Sequence, residues 1–172
     1  MAATSTLQAD ERGFDASALR RALGAFPTGV TVMTTRSAAG DPVGMTATSF
    51  NSLSLDPPLV LWSIGNGSSS LEAFAHAAHW AVHVLAREQH ELASRFSQRS
   101  ADRFADLPLE EGLHGLPLLR GCAARFECSA FAVHPAGDHS LLIGEVLRLA
   151  HAPVEPLVFH ASQYWSSRSS IR

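Results

Sequence analysis

Cysteine is scarce in this chain of 172 residues, which has two, Cys122 and Cys128, six positions apart. Both fall in GCAARFECSAFAVH (121–134), which reads as one strand. At about 3.3 Å per residue they would stand roughly 20 Å apart, beyond the ~7 Å between Cα atoms that a disulfide tolerates. No bridge between them is expected, and both read as buried thiols. Charge of one sign is lacking as well: 13 basic side chains against 16 acidic ones give a formal net charge of −3. The basic residues are scattered singly, so the basic face that a nucleic-acid backbone requires is missing. No apolar run approaches the roughly 20 residues that span a bilayer, and the N-terminus lacks a basic region followed by a long apolar stretch. A cytoplasmic protein is expected. Absent too are GxGxxG after a strand, GxxxxGK[ST], a Gly-x-Ser-x-Gly elbow and any internal repeat.

What remains is 46% hydrophobic, enough for one compact domain with a substantial core. Residues 1–12 carry few large apolar side chains and read as a loose tail, leaving 13–172 as the domain. From Asp15 as N-cap, Ala18, Leu19, Ala22, Leu23 and Phe26 recur at helical spacing until Pro27 and Gly29 stop the helix. VTVMTT (30–35) is a strand, joined by the turn-like SAAGDP to a second strand in GMTATSFNSLSLDPP (44–58). LVLWSI (59–64) and WAVHVL (80–85) have strand composition, and REQHELASRF (87–96) is helical. SQRSADRFADLPLEEGLHGLP reads as a long ordered loop, which in a compact domain is more often functional than idle. Residues 121–134 and HSLLIGEVLRLAH (139–151) flank a hairpin signal at Pro135–Asp138, and LVFH (157–160) ends the series. Six or seven strands against three modest helices, joined by hairpins, give a mainly β class with flanking helices. The expected architecture is an antiparallel barrel.

Two segments stand out chemically. In residues 44–58, Thr46, Thr48, Ser52 and Ser54 share one strand parity and Met45, Ala47, Leu53 and Leu55 the other, with the phase broken around Phe50. A bend or bulge near Asn51 would restore it. In GNGSSSLE (65–72), Ser69 and Glu72 have capping-box spacing. Small residues leading into a helix suit a phosphate, although an ordinary N-cap would leave the same pattern.

Four blocks in order, FPTGVTVMTT, GMTATSFNSLSLDPPLVLWSI, RSADRFA and AGDHSLLIGEVLRL, resemble the flavin reductase family over about residues 14–165. The resemblance implies an FMN-binding split barrel, a homodimer, and hydride transfer from NADH or NADPH to FMN or FAD. The reduced flavin would then pass to a partner monooxygenase. It assigns Thr46, Ala47, Thr48, Ser49 and Phe50 to the isoalloxazine edge, continued by Ser52 and Leu53. Gly67, Ser68 and Ser69 match the loop that meets the ribityl phosphate. Some relatives carry lysines there that are absent here, so Arg99, or else Arg103, is expected to supply the charge. His139 matches a position bordering the nicotinamide side of the flavin, and Tyr164 would shape the same mouth. With the chemistry carried by cofactors, the protein needs only to stack the rings and stabilise developing negative charge, for which backbone N–H groups at Ser49–Ser52 are candidates.

Two other readings compete. A flavin- or tetrapyrrole-sized ligand could sit in the same barrel without turnover, or the chain could be an unliganded dimerisation module. The nine histidines raise a metal, through His76, His79 and His83 or through His134 and His139 facing each other across the hairpin. No carboxylate or thiolate completes either set, and no metal is expected.

Overall fold

The structure, a computed structural model, describes residues 13–99 and 102–166. Its elements run α1 (Ala16–Leu23), β1 (Thr28–Gly29), β2 (Thr31–Arg36), β3 (Pro42–Ala47), β4 (Asn51–Leu55), β5 (Pro58–Gly65), α2 (Leu71–His76) and β6 (His79–Val84). They continue with α3 (His90–Ser97), β7 (Glu110–Glu111), β8 (Pro117–Leu118), β9 (Ala124–Ala136), β10 (His139–His151), β11 (Leu157–His160) and β12 (Gln163–Ser166). The expected tail, residues 1–12, lies outside the described residues.

Seven strands form one antiparallel sheet in the order β3-β2-β6-β9-β10-β5-β4. Its two edges, β3 and β4, are consecutive in the chain, so residues 48–50 carry the backbone from one edge of the sheet to the other. The sheet must therefore curl, and Ser49 fastens the seam: its hydroxyl lies 3.0 Å from both the carbonyl oxygen and the N–H of Ser63 on β5. The mainly β, antiparallel barrel read from the pattern is the architecture observed. A smaller sheet, β1-β11-β12, and a β7–β8 ladder complete it.

Strands at the middle of the sheet are covered on both faces, which is why VTVMTT and WAVHVL read as continuous runs and not as alternating ones. Met33, Trp62, Ile64, Trp80, Val82 and Leu142 fill the barrel together with Phe74 of α2. On the opposite face Val30, Val32 and Leu85 pack against Ala93 and Phe96 of α3. Trp80 fits because Gly144 faces it, where any Cβ would collide with the indole and with Cys128. Outer positions of β5 keep the period of two, with Val60, Trp62 and Ile64 buried between half-buried neighbours.

Several boundaries differ from expectation. Asp15 does cap α1, accepting the Ala18 N–H at 2.7 Å, but none of the helix is buried, and its apolar Leu19 and Leu23 are exposed. The capping box at Ser69 does not form. Ser70 is the N-cap without a side-chain bond, because the Ser68 hydroxyl accepts the Ser70 N–H and the Ser68 carbonyl accepts that of Leu71. Cys122 precedes β9 instead of lying in it, and both cysteines are free. The turn between β9 and β10 is only Gly137 and Asp138, with Gly137 at φ 65°; Pro135 pairs with Ser140 inside the ladder. His134 is consequently opposite Leu141 and not His139. His76 ends α2, whereas His79 opens β6, so these two are not helix neighbours. The long loop holds a two-residue ladder and a 3-10 turn, Leu113–Gly115.

Candidate functional site

The bend at 48–50 places Thr48 and Ser49 at the surface and turns Phe50 inward, half-buried, with its ring 5.6 Å from that of Phe126. This explains the broken phase: the one large apolar residue on the hydroxyl side is rotated back toward the core. The neighbouring hydroxyls divide into two groups. Thr46 donates to the Ala93 carbonyl of α3 at 2.6 Å, and Ser49 holds Ser63; both are committed within the protein. Thr48 and Ser52 are exposed and hold no side-chain partner among the described residues, so they are available to a ligand. Ala47 is buried, and its carbonyl accepts the Thr31 hydroxyl. Of the backbone donors expected here, the Ser52 N–H is engaged by Asn51 Oδ1 at 2.9 Å. A register shift between Ser52 and Ser54 bulges Leu53 out of the ladder, 47% exposed.

His139 arrives at the same end of the barrel by strand pairing. It lies opposite Gly65, and its Nε2 is 3.7 Å from where a Gly65 Cβ would stand. Gly65 sits two residues beyond Ser63, on the same face of β5. Asp138 Oδ1 is 2.6 Å from His139 Nδ1, which places a proton on Nδ1 and leaves Nε2 toward the open side. The imidazole holds the Asp138 carboxyl below its usual range. Asn66 locks the hairpin tip to the following loop: its N–H donates to the Asp138 carbonyl at 2.8 Å and its Oδ1 accepts from Ser140. Asp138 and Asn66 were missed by the sequence reading, although Asp138 adjoins His139 in the quoted block.

Gly67 and Ser69 are exposed and Ser68 half-buried, while Ser70 is buried behind them. Arg103 comes to this loop from the far side of the chain. Its guanidinium donates to the Gly44 carbonyl at 2.7 Å and to the Gln98 carbonyl at 2.8 Å, and lies 3.5 Å from the Ser70 hydroxyl. Arg99 is exposed beyond the end of α3. Tyr164 is not brought to His139; on β12 it borders Arg87, His90, Leu157 and Trp165.

Other ionisable groups serve the scaffold. His83 is fully buried, with Nδ1 3.0 Å from the Val32 carbonyl and Nε2 accepting the Leu119 N–H at 3.1 Å. That pair of partners fixes a neutral imidazole with its proton on Nδ1, and burial pushes its pKa down to about 4. Buried Glu127 takes both Arg148 nitrogens at 2.7 and 2.6 Å and the Leu113 N–H at 2.7 Å, pinning the 3-10 turn to the sheet. Burial raises the thiols of Cys122 and Cys128 to about 11 and 12, which makes both inert. Among the described residues no three His, Cys, Asp or Glu side chains gather as metal ligands.

A rim of exposed hydroxyls at a sheet seam, a serine loop backed by an arginine and a histidine over a glycine is the arrangement left to place. The family model described as flavin reductase like domain matches residues 23–167. The chain belongs to the flavin reductase family. Flavin reductase relatives include the FMN reductase (NADH) SmoA of Agrobacterium fabrum, 49% identical over 152 residues that cover 88% of this chain and 86% of that protein. The reductase component of the flavin-dependent trigonelline monooxygenase of Acinetobacter baylyi is 43% identical over 88% of this chain, which spans 49% of that longer protein. Among solved structures, the NADH:FAD oxidoreductase SgcE6 of Streptomyces globisporus superposes with a TM-score of 0.87 at 33% identity, covering 100% of this chain and 97% of that one. SgcE6 therefore shares the antiparallel barrel described above.

Proposed function

We propose that this flavin reductase family member transfers hydride from NADH or NADPH to FMN or FAD and supplies reduced flavin to a partner monooxygenase. The observation that carries the reading is the continuous rim Ser49–Ser63–Gly65–His139, which brings the ring-edge bend, the start of the serine loop and the nicotinamide-side histidine to one end of the barrel. A bound flavin supplies a ring that accepts hydride. The protein's own residues bind and orient: Thr48 and Ser52 offer hydroxyls to polar ring atoms, Ala47 and Phe50 form the apolar backing, and Leu53 extends the wall. Gly67, Ser68 and Ser69 receive the phosphate. Of the two arginines, Arg103 is the one held beside this loop, and Arg99 stands exposed past the end of α3. His139, oriented by Asp138, faces the dinucleotide.

Homodimer formation is supported by apolar side chains that one chain leaves uncovered: Leu53 and Leu55 on β4, Phe131 and Val133 on β9, and Leu23 of α1. Light scattering tests it, and a monomer at micromolar concentration refutes it. No helix among the described residues is long and apolar enough to cross a membrane, in keeping with action in the cytoplasm. The decisive experiment mixes pure protein with NADH and either FMN or FAD and follows NADH absorbance. Flavin-dependent NADH loss is expected. A yellow protein inert to NADH and NADPH would overturn the reductase reading in favour of ligand binding alone.

A further inference from the structure

The chain holds two asparagines, Asn51 and Asn66, in opposite situations. Asn51 lies in β4, where its Oδ1 takes the N–H of the next residue, Ser52, at 2.9 Å. Asn66 is exposed and is followed by an exposed glycine, Gly67. The Ser68 N–H donates to the Gly65 carbonyl at 2.9 Å, so Asn66 and Gly67 are the two central residues of a β-turn. Among the described residues no group accepts the Gly67 N–H. A Cβ built on Gly67 would meet nothing within 4 Å, so the approach to its nitrogen is open as well.

What restrains the Asn66 side chain is the β9–β10 hairpin tip. The Ser140 hydroxyl donates to Oδ1 at 3.1 Å, and Nδ2 donates to the Gly137 carbonyl at 3.3 Å. Both bonds are long for their kind and exposed to water. The carboxamide is therefore released whenever the tip loosens. Its carbon then stands beside a main-chain nitrogen that carries no hydrogen bond and no neighbouring side chain.

We propose that Asn66 and Gly67 form a self-modification site, at which deamidation of Asn66 sets a carboxylate at the head of the serine loop and lowers the affinity of that loop for a phosphate. The Gly67 amide nitrogen, giving its proton to hydroxide, attacks Cγ of Asn66 and forms the N–Cγ bond. The carboxamide nitrogen takes a proton and leaves as ammonia. Water opens the resulting succinimide at either carbonyl, leaving aspartate or isoaspartate at position 66. Water is consumed, ammonia is released, and nothing is oxidised. Glycine suits the step because a Cβ on the attacking residue would crowd it. The consequence for ligands rests on the proposed function, in which Gly67, Ser68 and Ser69 receive the flavin phosphate. A carboxylate on residue 66 repels that phosphate. It also faces the Gly137 carbonyl where an amide now donates, acceptor against acceptor, so the tip that carries His139 loses a tie.

The test incubates the full-length protein at mildly alkaline pH and physiological temperature and follows deamidation by mass spectrometry, with the product located by peptide fragmentation. Product at residue 66 and not at Asn51 is expected, forming severalfold faster in Ser140→Ala, which frees Oδ1, and almost absent over the same period in Gly67→Ala. Fluorescence titrations then compare fresh protein, aged protein and Asn66→Asp. FMN should weaken by about tenfold, and riboflavin, which has no phosphate, by much less. The proposal is overturned if residue 66 stays unmodified in both the unaltered protein and Ser140→Ala, if Asn66→Asp binds FMN as tightly as fresh protein does, or if FMN and riboflavin weaken alike. In those cases FMN binding by fresh protein leaves the proposed function standing. Fresh protein that binds no flavin refutes the proposed function and the ligand effect together, while the product at residue 66 is read without any flavin.

Discussion

Ser49 Oγ accepts the Ser63 N–H and donates to the Ser63 carbonyl, each at 3.0 Å, so one short side chain makes the pair of bonds that a neighbouring strand would make with its backbone. Ser49→Ala removes both and leaves two backbone groups to water. We expect a loss of about 1 kcal/mol in urea unfolding, together with weaker FMN binding because the bend is no longer tied to β5. Unchanged unfolding would show that the seam is held by something else.

Arg103 and Arg99 make different demands on a phosphate. Arg103→Ala should weaken FMN by about tenfold or more, the usual scale for a charged hydrogen bond, while leaving riboflavin, which has no phosphate, unaffected. Arg99→Ala should act less on FMN. Fluorescence titrations with both ligands separate phosphate binding from a general defect, which would weaken riboflavin equally.

Asp138 orients His139 through Nδ1, so removing either should act on the nicotinamide side. His139→Ala is expected to raise the Michaelis constant for NADH severalfold with little change in flavin affinity, and Asp138→Asn to do the same more weakly by loosening the ring. Steady-state kinetics at saturating FMN, with independent flavin titrations, provide the check; an effect on flavin alone would remove both residues from this role.

His83 binds no proton in the fold until about pH 4, against 6.5 for the free side chain. The unfolded chain therefore takes up a proton first as pH falls, and stability declines from about pH 6.5 down to about pH 4, with a total near 3 kcal/mol. Above pH 6.5 this group contributes no slope. Thermal melts across that range should show the decline, and His83→Gln should flatten it at the expense of lower stability at neutral pH.

How much of this was legible in the sequence depended on how far apart the partners lie. The bounds of β10 followed from a hairpin signal and from period-two composition, both local. The bend at 48–50 left a local trace as well, a hydroxyl pattern broken at Phe50. By contrast, Ser49 reaches Ser63 and Arg103 reaches the Gly44 carbonyl, 14 and 59 positions away; a side chain bonded to a distant backbone leaves no periodicity behind. For the same reason the preference for Arg99 could not be weighed against Arg103 before the loop was seen folded. Tyr164 was expected to shape the same mouth as His139 from its place near the C-terminal end; β12 sets it in the smaller sheet, beside Arg87 and Leu157. The helix start shifted by one residue because three consecutive serines offer equivalent caps.

Because β3 and β4 are joined through three linking residues, the rim proposed to receive flavin is also the zipper of the cylinder. Whatever occupies it clamps two otherwise free borders of the sheet together. Amides of the bend and of β4 should then be the first to open in the empty protein and should exchange with deuterium much more slowly once FMN is added, so that occupancy and mechanical integrity rise and fall as one property.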